Sequence, residues 1–149
     1  MKYLLDSDAV SILYDDKRES YDIIHSKISK LRDKDGLFTS MLILYELEYS
    51  FFNASDDKKI SIRNTINSVL NDFDGILSLE EKGAAVFGEL KMLFKKRKNF
   101  SRKEMRKHNI DIMLASTAIS LSCILIGADK IYQDIAELNP MFFFENWLA

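Results

Sequence analysis

The sequence holds one cysteine, Cys123, in 149 residues. A single thiol excludes an internal disulfide and any metal–thiolate cluster. Cys123 lies in an apolar run and reads as a small buried hydrophobe. Proline occurs once and glycine five times, too few for long flexible linkers. No apolar run reaches the ~20 residues of a membrane-crossing helix. The opening Met1-Lys2-Tyr3-Leu4-Leu5-Asp6 is broken by charge too soon for a signal peptide, so a reduced, cytoplasmic setting is expected. There is no glycine-rich phosphate loop, no Ser-His-Asp context and no zinc motif. Of the two histidines, His25 falls on a polar helix face and is expected in solvent, and His108 is expected in a loop.

What is present describes one folded domain over residues 1–149. Hydrophobic residues make up 47% of the chain, which excludes global disorder. Net charge is −2, but the charge is unevenly placed. Lys95, Lys96, Arg97, Lys98, Arg102, Lys103, Arg106 and Lys107 form a cationic stretch interrupted by one acid, Glu104. Such a run is either a solvated helix end or a phosphate-binding edge, here interleaved with Phe94 and Phe100. Its closeness in sequence to Asp111 favours the second reading, with Lys95, Lys96, Arg97, Lys98, Arg102 and Lys103 as candidate phosphate-binding residues of a nucleic-acid interface.

Hydrophobic periodicity alternates between strand and helix. Strands are expected at 2–5, 37–40, 76–79, 122–126 and 141–144. Helices are expected at 9–14, 21–31, after 40, at 60–73, 80–98, from about 111, and at 129–138. Asp8 is expected to cap the first helix. This alternation predicts an α/β fold, a three-layer sandwich with a mostly parallel central sheet and helices on both faces. The early helices carry more apolar residues than one core needs, among them Ile12, Leu13, Tyr49, Phe51 and Phe52, which predicts a covered surface.

Four carboxylates stand at the edges of these apolar segments. Asp6 ends the first strand, Glu46 lies in the helix Met41-Leu42-Ile43-Leu44-Tyr45, Asp111 opens a helix, and Asp129 follows the strand Ile124-Leu125-Ile126. Acids beside core segments are paired or bind metal, because an uncompensated buried charge is costly. Parallel strands gather their carboxyl ends on one edge, so these acids are expected to meet there. Four such acids raise one another's pKa unless a cation neutralises them, and hard cations such as Mg²⁺ take oxygen ligands. The chemistry such a site supports is hydrolysis of a phosphodiester.

With these motifs in order, the chain resembles the PIN-domain ribonucleases, in particular the VapC toxins of prokaryotic toxin–antitoxin pairs. Tyr3-Leu4-Leu5-Asp6-Ser7-Asp8 is similar to the family's opening. Ser40-Met41-Leu42-Ile43-Leu44-Tyr45-Glu46-Leu47 is similar to its second motif, Asp111-Ile112-Met113-Leu114-Ala115-Ser116-Thr117-Ala118 to its third, and Ala128-Asp129-Lys130 to the setting of its fourth acid. Phe144-Glu145-Asn146-Trp147-Leu148 is similar to the way such chains end. The resemblance covers nearly the whole length. It implies an endoribonuclease using Mg²⁺ (or Mn²⁺), with Asp6, Glu46, Asp111 and Asp129 as catalytic metal ligands and Ser7 and Asp8 supporting them. It also implies a homodimer acting on an RNA substrate and held in check by a small antitoxin protein.

Two departures stand out. Gly127 takes a place where Thr or Ser is common, so a hydroxyl is lacking there. Ile131 and Tyr132 occupy a stretch where an acid followed by Phe is usual. The departure at Gly127 keeps one alternative open, a PIN-like binding module with weakened catalysis, and a DNA nuclease of the same broad fold is a further alternative.

Overall fold

The computed structural model describes residues 1–149. Five strands, β1 (Lys2–Leu5), β2 (Gly36–Ser40), β3 (Gly75–Leu77), β4 (Cys123–Ile126) and β5 (Phe144–Glu145), pair in the order β3-β2-β1-β4-β5. Every pairing is parallel. The helices are α1 (Ser7–Leu13), α2 (Tyr21–Ser29), α3 (Met41–Asn53), α4 (Asp56–Asp72), α5 (Glu81–Arg97), α6 (Arg102–Lys107), α7 (Asn109–Leu121) and α8 (Ile131–Leu138). The expected three-layer α/β architecture is therefore present, with the sheet wholly parallel.

The strand order explains where a site can form. From β1 the chain moves outward through β2 and β3, then returns to the other side of β1 as β4. The crevice between β1 and β4 is the topological switch point, and side chains just past both strands converge on it. The strands are held in register by Leu4 opposite Leu125 and Leu5 opposite Ile126, all four fully buried. Val10, Ala115, Ile43 and Leu90 close over this layer in one contiguous core.

Local chemistry places the helix ends. Ser40 caps α3, its hydroxyl accepting from Leu42 N at 3.1 Å. Ser101 and Glu104 form a reciprocal capping box that starts α6. Lys95, Lys96 and Arg97 fall in the last turn of α5, where cations oppose the negative helix end.

Several expectations are corrected. The cap of α1 is Asp6, whose Oδ1 accepts from Ala9 N at 2.9 Å; Asp8 lies exposed in the first turn. Helix α6 has no counterpart among the expected elements. The last strand forms at Phe144–Glu145 because a turn occupies 139–142, with Asn139 Oδ1 accepting from Met141 N and Asn139 O from Phe142 N. Ile12 and Leu13 belong to the core rather than to a surplus surface. His25 is exposed as expected, yet its Nε2 lies 2.8 Å from Leu13 O, so it ties α2 to the end of α1. Cys123 is free and buried. No helix is long and apolar enough to cross a membrane.

Candidate metal centre

Asp6 follows β1 directly, and its backbone N–H donates to Ile126 O at 3.0 Å, which fixes it against β4. The residue is only 4% exposed. Its two carboxylate oxygens are held separately. Oδ1 takes the Ala9 amide and Oδ2 takes the Tyr132 hydroxyl at 2.7 Å. Burial pushes its pKa up to about 6 against these two bonds, with the charges of Asp8 and Asp111 adding to the rise.

Asp111 sits in the first turn of α7, partly open to solvent. Its Oδ1 lies 3.4 Å from the same Tyr132 hydroxyl. A hydroxyl has one proton, so the 2.7 Å bond to Asp6 is its donor contact and the Asp111 approach is the weaker one. Burial and the charge of Asp129 raise the Asp111 pKa; His108 and Tyr132 oppose the rise. Asp129 is exposed at the mouth, its Oδ1 accepting from Ile131 N at 3.0 Å at the start of α8. Glu46 stands on the exposed side of α3, its pKa raised by burial of the carboxyl and by the charge of Asp111. Asp111 is thus the acid that each of the other three senses or is sensed by. The arrangement leaves Asp6 turned inward and the remaining three nearer solvent.

His108, expected in a loop, forms the junction between α6 and α7. Side-chain ligand atoms of His108, Asp111 and Asp129 lie within 4.8 Å of one another. His108 Nδ1 is buried without a hydrogen-bond partner, 3.7 Å from Asp111 Oδ2 and too far to bond it. Asn109 Oδ1, on the next residue, is likewise buried and unpaired. An orphaned imidazole nitrogen beside Asp111, a carboxylate of raised pKa, fits a cation that would satisfy both groups.

Tyr132 and His108 are the functional candidates that the acid motifs did not reveal. Tyr132 is fully buried, and its position as a polar residue in the otherwise apolar stripe of α8 was the available signal. Gly127 explains its placement. A Cβ on Gly127 would lie 2.2 Å from Asp6 Oδ2 and 2.6 Å from Tyr132 Cε2, so only glycine leaves room for that hydrogen bond. Ser7 and Asp8 are exposed; Ser7 makes no hydrogen bond to the four acids, and Asp8 lies 3.5 Å from Arg18. Of the cationic candidates, Lys98 is engaged by Asp134 at 3.5 Å and by Glu137. Lys95, Lys96, Arg97, Arg102 and Lys103 are exposed. Phe94 is fully buried, so Phe100 alone of the two aromatics faces that region.

No family model and no curated protein matches the sequence. Solved structures do match across the chain. The VapBC-1 structure from nontypeable Haemophilus influenzae shares 21% identity over 100% of both chains, with a TM-score of 0.78. The VapBC2 structure from Rickettsia felis, bound to a DNA fragment from their promoter, shares 20% over 99% of both, with a TM-score of 0.76. The FitAcB structure from Neisseria gonorrhoeae shares 18% over 97% of both, also at 0.76. A likeness at these identities speaks for the backbone rather than for the chemistry, and it shows that this chain has the PIN-domain α/β fold.

Proposed function

We propose that this chain is a metal-dependent endoribonuclease and the toxin of a type II toxin–antitoxin pair. The observation that carries the reading is Asp111 at the β1/β4 crevice, within ligand reach of Asp129 and His108, joined to buried Asp6 through the Tyr132 hydroxyl and adding its charge to the burial that raises the pKa of Glu46. Asp111 and Asp129, with Asp6 behind them and Glu46 at the rim, would hold Mg²⁺ or Mn²⁺. When bound, such an ion supplies an activated water and neutralises charge on the phosphate under attack. The chain's own residues do the rest. Ala9 N and Tyr132 fix both oxygens of Asp6, His108 brings an imidazole to the mouth, and the basic end of α5 with α6 offers charge to the flanking phosphates.

The reading of a weakened binding module drew on the hydroxyl missing at Gly127. Tyr132 brings a hydroxyl to Asp6 from the neighbouring helix, which favours the enzyme. The choice of RNA over DNA rests on the resemblance.

The antitoxin partner and the homodimer belong to the same proposal. Tyr45, Tyr49 and Phe52, exposed by 71%, 69% and 74%, line one side of α3, and Ile60 and Leu70 are exposed on the adjoining α4. An apolar surface of this kind suits a second copy or an amphipathic segment of a small antitoxin.

The test is cleavage of a mixed-sequence RNA with and without Mg²⁺ or Mn²⁺, comparing the parent with Asp6→Asn and Asp111→Asn. Metal-dependent cleavage lost in both folded variants supports the proposal. No cleavage by the parent under any metal would refute it.

A further inference from the structure

The cationic stretch does not act as an even stripe. Four of the basic residues around it turn onto one cavity of about 480 Å³ between the end of α5 and α6: Lys91, Lys95, Arg102 and Arg106. Phe100 and Met105 supply an apolar wall, and no acid lines the space. None of the four cations has a carboxylate within ion-pair reach, whereas Lys98 nearby has two. Like charges facing one concavity repel, and an anion placed among them relieves that repulsion.

Phe100 is positioned rather than incidental. Asn99 adopts a left-handed conformation, φ 54°, at the turn between α5 and α6. Asparagine accepts that conformation more readily than most residues. The turn folds Phe100 back, its N–H donating to Phe94 O at 3.3 Å and its ring 4.8 Å from the ring of Phe94. The ring also lies 5.9 Å from the ring of His108. Phe100 also lines a second cavity of about 490 Å³ with Lys107, His108, Asp129 and Lys130. One aromatic ring therefore stands between a cationic hollow and the mouth of the acidic centre.

We propose that the hollow seats one unpaired nucleotide of a single-stranded polynucleotide, adjacent to the phosphate presented to the acids. Its phosphate lies among Lys95, Arg102 and Arg106, and its base rests on Phe100 and Met105. The proposal rests on the nuclease reading for the identity of its ligand. The geometry demands a base free to leave its stack, so a duplex does not fit.

The experiment is fluorescence anisotropy of labelled strands in EDTA over a salt series, so that binding is read without metal or cleavage. The parent is expected to hold single-stranded RNA with a strong salt dependence. Lys95→Ala/Arg102→Ala/Arg106→Ala should weaken it by about ten-fold or more and reduce the slope of log K against log salt by about 0.7, as expected when one phosphate is no longer neutralised. Phe100→Leu should weaken single-strand binding by about ten-fold with the slope unchanged. Phe100→Trp should restore it, and duplex binding should be indifferent to both. Lys27→Ala/Lys30→Ala, on α2 and its end, should bind as the parent does. A DNA strand of the same sequence tells which sugar the seat admits, and retention of either strand by these residues supports the seat.

Three outcomes would overturn it: no single-strand binding by the parent, a triple variant indistinguishable from the parent across the salt series, or a Phe100→Leu loss equally large for duplex. Binding through these residues with no metal-dependent cleavage would defeat the nuclease reading and leave the seat standing.

Discussion

The Tyr132 hydroxyl donates to Asp6 Oδ2 at 2.7 Å across 126 residues of sequence, and it is the only side chain that hydrogen-bonds this buried carboxylate. The other oxygen is satisfied by the chain itself, through the Ala9 amide. Removing one partner of a buried polar pair leaves the other unsatisfied at a cost of about 1–3 kcal/mol. Tyr132→Phe should therefore lower the stability of the metal-free protein by that order. It should do so far less in an Asp6→Asn background, where the charge is gone. Denaturant titrations of the four-member cycle read the coupling. Equal losses in both backgrounds would place the effect in ring packing instead.

Gly127 should resist substitution for a related reason. Gly127→Ser brings a Cβ against both Asp6 Oδ2 and Tyr132 Cε2. The variant should be destabilised well beyond an ordinary surface change, with a lower Tm. Substituting Asp6 as well should recover little, because the Tyr132 ring still stands in the way. A Gly127→Ser protein that melts with the parent would contradict the crowding.

Stability of the metal-free protein should depend on pH through Asp6. Its folded pKa, about 6, lies above the value of 3.8 for a free side chain, so between these values the native state holds the extra proton. Stability contributed by that proton is present in acid and is lost as pH rises through about 6. A tenfold difference in proton affinity between the folded and unfolded chain is worth about 1.4 kcal/mol, so the loss from Asp6 is on the order of 2 kcal/mol between about pH 4 and 7. Asp6→Asn should flatten this part of the profile. Saturating Mn²⁺ should flatten it too, because a cation favours the charged form. Chemical denaturation at several pH values, in EDTA and in Mn²⁺, checks both statements.

The metal itself should be read by thermal shift. Mg²⁺ or Mn²⁺ should raise Tm in proportion to the logarithm of its concentration once above its Kd. Asp111→Asn should abolish the rise. His108→Ala should reduce the response to Mn²⁺ more than that to Mg²⁺, because Mg²⁺ strongly prefers oxygen and gains little from an imidazole. An identical response of the histidine variant to both ions would remove His108 from the site.

Assembly is testable on α3. Replacing Tyr49 and Phe52 with Lys should leave the fold intact, since both side chains are largely in solvent. It should shift the mass in light scattering from dimer to monomer. A parent that is monomeric well above micromolar concentration would count against the homodimer.

Much of this molecule is legible along the chain. Strands β1 and β4 read as apolar runs, and α5 shows its stripe through Leu90 and Phe94. The acids Asp6, Glu46, Asp111 and Asp129 announce themselves because each interrupts an apolar edge. Helix α6 escaped because its six residues carry one apolar anchor, Met105, and periodicity needs several; its Ser101–Glu104 capping box was the readable trace. Asp6 and Asp8 both suit a helix cap by composition, and only the extended backbone at Asp6 decides between them. Tyr132, His108 and the crowding at Gly127 act through space. Their roles depend on which strands become neighbours, and no local window contains that information. Ile12 and Leu13 exceed what the short α1 needs by its own pattern, and they are buried because α2 residues such as Ile24 share their core.

The order of the strands has a consequence for how the protein is made. β1 precedes the other four strands yet lies in the middle of the sheet, and one of its two partners, residues 123–126, follows it by more than a hundred residues. Asp6 likewise waits for residue 132 to receive its side-chain hydrogen bond. During synthesis, then, the opening strand must remain half-paired while more than a hundred residues follow it, and closing so long a loop is entropically unfavourable until the β4 contacts compensate. An emerging chain accordingly carries its first acid without the setting that orders it. The crevice can come together only after residue 132 has left the ribosome and reached β1, which ties the onset of any activity there to synthesis past that point.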